Sequence, residues 1–221
     1  MNDFIDPSLT SVNYSNFDSV VNIIQNLGRG SLIGKMDIKS AFRLLPCRPG
    51  DFDLLCFKFQ DHYYIDKCMP MGCSIGCSTF ENFSTFLQFE LKRRTNSQNI
   101  DHYLDDFFFA GSPSSNSCQY LMDTFTELCN EVGVPIADDK SEGPTTYLTY
   151  LGYQLGTEQL HIQIPSDKVE KLLQQIFNTL QMKKVRLKEL QSLTGSLELF
   201  CQGYAICKDI YKAIVFSYVW C

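Results

Sequence analysis

The sequence predicts a mixed α/β (α+β) fold with an antiparallel sheet, followed by a small helical segment. Three observations carry this. Up to about residue 164, helix-period and strand-like apolar runs alternate, and after Pro165 only the helix period remains. Of the 221 residues 44% are hydrophobic and 20% charged, the composition of a globular chain long enough to bury a core, not of a disordered or fibrous one. No stretch approaches 18 uninterrupted apolar residues, which excludes a membrane-spanning helix.

The first helix is expected over 16–27, with apolar residues at 17, 20, 21, 24 and 27, a cap at Ser15 or Asn16, and Gly28 as its stop. Residues 32–38 read as a strand. Residues 54–59 and 62–67 read as two strands around a turn at Gln60-Asp61. Pro70-Met71-Gly72 punctuates. A helix over 75–93 places Phe80, Phe83, Phe86, Leu87 and Leu91 on one face. Residues 100–110 form an aromatic strand pair broken by Asp105-Asp106. The clearest helix runs from Ser114 to Val132, with Gly133 at its end. A hairpin over 147–155 and 160–164 and helices over 166–181 and 186–201 complete the reading, and the last twenty residues are expected to be helical.

Charge is uneven. Residues 1–160 hold 11 Lys and Arg against 20 Asp and Glu, and residues 161–221 hold 8 against 5. An acidic body gives no bulk attraction for nucleic acid, so such contact must come from local patches. Two exist: Lys92-Arg93-Arg94, and Lys183-Lys184 with Arg186 and Lys188; taken alone, each reads as a solvated helix end. The acidic N-terminus does not read as a secretory signal, and ten cysteines without one imply a reducing, intracellular compartment. No C-x-x-C occurs, so the cysteines read as small apolar residues rather than zinc ligands.

The chemistry sits in the carboxylates. Asp37 ends an apolar strand, where a charge is costly unless paired or metal-bound. Asp105 and Asp106 stand among Tyr103, Leu104, Phe107, Phe108 and Phe109. A tight turn between two strands would project both acids. If the Asp37 strand neighbours that hairpin, three carboxylates converge into a hard oxygen set suited to Mg²⁺. Alone, Asp-Asp reads equally as an ordinary acidic turn.

The ordered set of motifs resembles the palm of a reverse transcriptase. Met36-Asp37-Ile38-Lys39-Ser40-Ala41-Phe42 resembles the first motif of that family, and Met69-Pro70-Met71-Gly72-Cys73-Ser74 the opening of the second. Tyr103-Leu104-Asp105-Asp106 matches its Y-x-D-D box. The stretch Gly133 to Ser141, with Lys140, is similar to the fourth motif, and Tyr147 to Tyr153 to the primer-grip hairpin. Leu187 to Cys201 is similar to the thumb helix of long-terminal-repeat and tyrosine-recombinase retroelements.

The resemblance implies a ferredoxin-like polymerase palm over 1–164, backed by the helices 16–27, 75–93 and 114–132, and a small helical thumb over 165–221. It implies RNA-directed DNA polymerase activity. Asp37, Asp105 and Asp106 would hold two Mg²⁺ ions, with Mn²⁺ as a substitute. Ile38, Ala41, Phe42, Met71 and Gly72 would meet the incoming deoxynucleoside triphosphate, Phe42 as the gate against a 2′-hydroxyl. Lys140 would be the general acid at the pyrophosphate. Tyr103, Leu151, Gly152, Lys183, Lys184, Arg186 and Lys188 would contact primer and an RNA or DNA template.

Only 36 residues precede Asp37, with Arg29 and Lys35 as their only basic side chains. The fingers of the family are therefore expected to be largely missing, and the chain to be a piece of a retroelement polyprotein linked to ribonuclease H and other domains. Two further readings stay open: a catalytically inactive remnant that binds nucleic acid or protein, and an unrelated α/β domain with an acidic turn.

Overall fold

The computed structural model describes residues 2–182 and 184–203. The helix expected over the last twenty residues falls almost wholly outside them. Packing divides the chain into two units: residues up to Leu148 with Thr157–Leu160, and Thr149–Gly156 with the chain from His161 onward.

The first unit begins with α1 (Phe17–Leu27), where the Asn16 side chain accepts the Asp18 N–H and Gly28 ends the helix. β1 (Leu32–Ile38) follows. Next come β2 (Cys56–Phe59) and β3 (His62–Ile65), a separate two-stranded sheet turning at Gln60 and Asp61. The expected strand start at 54 is corrected: Leu54 and Leu55 belong to the 3-10 segment Pro49–Leu55. Then follow α2 (Gly76–Thr95), β4 (Ile100–Tyr103), β5 (Asp106–Gly111), α3 (Ser117–Val132) and β6 (Ile136–Thr145).

The main sheet has the order β4-β5-β1-β6 and its pairs are antiparallel. Chain order β1-α2-β4-β5-α3-β6 on that strand order is the ferredoxin-like arrangement. β6 is an element that the sequence reading lacked. Its Asp-Asp-Lys and Gly-Pro stretches carry little strand propensity, and pairing to β1 overrides that.

Strand alternation sorts the two faces. Met36, Ile38, Ile100, Phe107 and Phe109 form one core with Phe80, Leu87 and Leu91 of α2 and Leu121, Phe125 and Leu128 of α3. Gly111 lets α3 approach, since a Cβ there would collide with the Cys118 backbone. Asp37, Asp106 and Phe108 point to the opposite face by the same alternation. There α1 lies against β5, and its Ser19 hydroxyl donates to Asp101, the cross-strand partner of Phe108. Cys118 and Cys129 are buried in the core, where desolvation pushes both thiols up to about 12.

The strands β7 (Tyr147–Tyr150), β8 (Tyr153–Gly156) and β9 (His161–Gln163) form a three-stranded sheet in that order. The expected single arm over 147–155 is thus corrected to two strands, broken where Leu151 and Gly152 both take positive φ. In the second unit α4 (Ser166–Leu180) and α5 (Leu187–Gly203) follow, α5 starting with the Arg186 N–H donated to the Glu189 carboxylate. No helix among the described residues is long and apolar enough to cross a membrane.

Candidate active site

The register of β1 against β5 fixes the site. Asp37 faces Asp106 directly across the strand pair, and side chains of such partners share one face. Tyr103 faces Asp106 at the end of β4, so Leu104 and Asp105 form the two-residue turn between the strands. Leu104 takes φ +52, the left-handed conformation that tight hairpin turns demand. The Ile38 N–H donates to the Asp105 carbonyl at 3.0 Å, tying this turn to the end of β1.

Lys140 comes from the other side. Between Lys35 and Asp37 of β1, the pairing on β6 moves from Glu142 to Ala137, so β6 bulges there. The bulge carries Lys140, whose Nζ lies 3.2 Å from Asp37 Oδ1 and 3.1 Å from Oδ2. This pairing raises Lys140 above the ordinary lysine range.

A cleft of about 540 Å³ opens beside these groups. Asp37, Asp105 and Lys140 line it, as do Ile38, Ala41, Phe42 and Met71. Asp106 adjoins the cleft through its register with Asp37. Burial raises Asp105, and the charge of Asp37 adds to it. Burial, then the charges of Asp105 and Asp37, push Asp106 up to about 6. Three acids are therefore held together at an electrostatic cost.

Phe42 serves two environments. Its ring lines the cleft and also packs against Phe80 with centroids 5.6 Å apart. Ala41 beside it is buried. Met71 is 79% exposed at the tip of its turn, and Gly72 there takes φ +84. Asn2 braces that turn, donating to the Gly72 carbonyl at 2.9 Å and accepting the Ser74 N–H at 3.0 Å. Tyr103 stacks on Tyr14 at 4.8 Å.

The other sequence-selected residues lie in the second unit. Leu151 and Gly152 form the β7–β8 turn, and Arg186 and Lys188 line a cleft along α4 and α5. Lys184 stands before α5 and is exposed, and Lys183 lies outside the described residues. The Lys92-Arg93-Arg94 patch is largely neutralised: Arg93 and Arg94 pair with Glu90, and Arg94 also with Glu131.

An all-oxygen donor set of aspartates fits a hard divalent cation. Among the described residues no group of three His, Cys, Asp or Glu side chains already has metal-holding geometry. Lys140 supplies a positive charge at Asp37.

Sequence reasoning missed Glu81 and His102, both buried beside the turn. One signal existed. His102 shares the strand parity of Ile100, so a polar ring stands at a core-facing position and needs a partner.

Known proteins resemble this chain in sequence and in fold. Protein P of duck hepatitis B virus (strain China) is 29% identical over 192 residues, which is 81% of this chain and 23% of that protein. The transposon Tf2-7 polyprotein of Schizosaccharomyces pombe is 23% identical over 133 residues, 60% of this chain and 10% of that one. The foamy viral protease-reverse transcriptase solved with an RNA/DNA hybrid has the same fold, with a TM-score of 0.62 and 22% identity over 89% of this chain and 25% of its own. The chain thus spans a quarter or less of the length of each. The reverse transcriptase (RNA-dependent DNA polymerase) family matches residues 1–155, and the chain belongs to that family.

Proposed function

We propose that this chain is the palm and thumb of an RNA-directed DNA polymerase, a portion of a retroelement polyprotein that adds deoxynucleotides to a primer 3′-hydroxyl. The observation that supports it most is the pairing of Asp37 with Asp106 across adjacent strands, with Asp105 in the adjoining turn. Two Mg²⁺ ions held by Asp37, Asp105 and Asp106, or Mn²⁺ in their place, would acidify the primer hydroxyl and stabilise the leaving pyrophosphate.

The remaining work falls to side chains. Phe42, which packs against Phe80, would be the gate that excludes a 2′-hydroxyl on the nucleotide sugar. Ile38, Ala41 and Met71 line the same cleft, and Gly72 shapes the turn that presents Met71. Lys140 would deliver the proton from its Nζ to the leaving pyrophosphate oxygen. Tyr103 supports the primer end. In the second unit, Leu151 and Gly152 would hold the primer, while Lys183, Lys184, Arg186 and Lys188 would meet backbone phosphates.

The alternative reading is an inactive remnant that still binds nucleic acid or protein. Primer extension on an RNA template with Mg²⁺ or Mn²⁺, beside Asp105→Asn, decides. Extension that the variant lacks establishes the polymerase. Absent extension from folded protein that binds primer–template favours a fragment lacking its triphosphate grip, and the same assay on the longer polyprotein then separates that fragment from the remnant.

A further inference from the structure

We propose that Glu81 and His102 are positioning residues that hold the Tyr103–Asp106 turn in its working geometry; this rests on the polymerase reading above. Glu81 lies on α2 with 6% exposure, and a buried carboxylate needs partners. It has two, both on the hairpin that carries the acids. Its Oε2 accepts the Leu104 N–H at 3.2 Å. Its Oε1 lies 3.2 Å from His102 Nε2.

Leu104 is the residue whose left-handed conformation makes the turn, and its N–H lies between Tyr103 and the two aspartates. An L-residue with a Cβ resists this conformation, so an acceptor fixed on its N–H selects it. His102 is 4% exposed and stacks on Phe107 with ring centroids 5.3 Å apart at 20°. Phe107 is fully buried and follows Asp106 directly. Neither imidazole nitrogen has a hydrogen-bond partner among the described residues, so the Nε2 contact with Glu81 is a close approach and not a hydrogen bond. The Glu81 carboxylate thus reaches β4 through His102 and the turn through Leu104.

The turn is also held by the Ile38 N–H on the Asp105 carbonyl and by Tyr14 stacked on Tyr103. Removing Glu81 leaves those anchors and frees the Leu104 amide. The Asp105 and Asp106 carboxylates then lose their fixed aim, while neither is altered chemically. Supporting groups of this kind typically change metal affinity about 10–100-fold when removed.

The test uses the full 221-residue chain with Glu81→Leu, Glu81→Gln and His102→Gln. Mn²⁺ binding is read by electron paramagnetic resonance, primer extension by kcat and KM, and the Leu104 amide by its NMR shift. Expected are about tenfold or greater losses of Mn²⁺ affinity and of kcat in Glu81→Leu, with KM for primer–template unchanged. Glu81→Gln, which keeps an acceptor for Leu104, restores most of both, and His102→Gln falls between. Wild-type Mn²⁺ affinity in Glu81→Leu, or no rescue by Glu81→Gln, overturns the proposal. If Glu81→Leu does not fold, the Leu104 amide shift and Mn²⁺ affinity of Glu81→Gln and His102→Gln decide it. Failure of the polymerase reading looks different. The wild type then neither binds Mn²⁺ nor extends primer although the Leu104 amide still responds to Glu81→Gln, and the positioning role falls with it.

Discussion

Lys140 stands over Asp37 with its ammonium within 3.2 Å of both carboxylate oxygens, carried there by the bulge in β6. The Asp37 side chain is only 10% exposed, while that of Lys140 is 60% exposed. The lysine therefore neutralises a nearly buried acid from the solvent side. A divalent cation arriving at Asp37 competes with this ammonium. Lys140→Ala should lower the melting temperature of the metal-free protein slightly and enlarge the stabilisation produced by Mn²⁺. The same variant should lower single-nucleotide addition about a hundredfold or more, as expected for loss of a general acid. Thermal melts with and without Mn²⁺, beside pre-steady-state kinetics, check both. An unchanged Mn²⁺ response would remove Lys140 as the stand-in for the cation.

Asp105 and Asp106 are held where burial and mutual charge disfavour ionisation. A site of this kind trades stability for function. Asp106→Asn should therefore raise the stability of the metal-free protein, on the order of 1 kcal/mol after discount for solvent screening. Asp105→Asn should abolish metal-dependent nucleotide addition and leave the fold intact. Denaturant melts in chelator report the first, and primer extension the second. A destabilised Asp106→Asn variant would contradict the electrostatic account.

Phe42 carries a double role that a single substitution separates. Its ring lines the cleft and leans on Phe80. Phe42→Ala should relax discrimination against ribonucleotides and cost about 2 kcal/mol of stability, less than a fully buried Phe→Ala change. Competition between deoxynucleotide and ribonucleotide triphosphates measures the first effect. Unchanged discrimination in a folded variant would leave Phe42 as a core residue only.

The sequence pattern made much of this legible for physical reasons. Apolar periodicity located α1, α2 and α3 within a few residues, with glycine stops for α1 and α3, because amphipathic helices repeat their signal over several turns. Asp37 and Asp105-Asp106 stood out because charges inside apolar strands are costly. β6 was hidden because its partner strand, rather than its own residues, makes it a strand. The clasp of Glu81 on Leu104 was hidden too. It joins residues 23 apart through a backbone amide, and no side-chain pattern advertises a backbone donor.

Glu90 ties α2 into a charge network that answers to pH. Arg93 and then Arg94 hold its carboxyl down, from the ordinary 4.5 to about 2. Arg94 bridges onward to Glu131 of α3 through two short contacts, 2.9 and 2.7 Å. The network thus couples two helices that pack side by side under the sheet. A carboxyl whose folded value is depressed contributes stability that is fully present above 4.5 and is lost as pH falls through about 2. Glu90→Gln should lower the melting temperature at neutral pH by a small amount, since these side chains are solvent-accessible and screened. The gap between variant and wild type should narrow below 4.5 and close near about 2. It should also shrink with added salt at neutral pH. Melts of both proteins across that range and at two ionic strengths measure it, and a gap independent of pH would show that Glu90 acts through packing instead of charge.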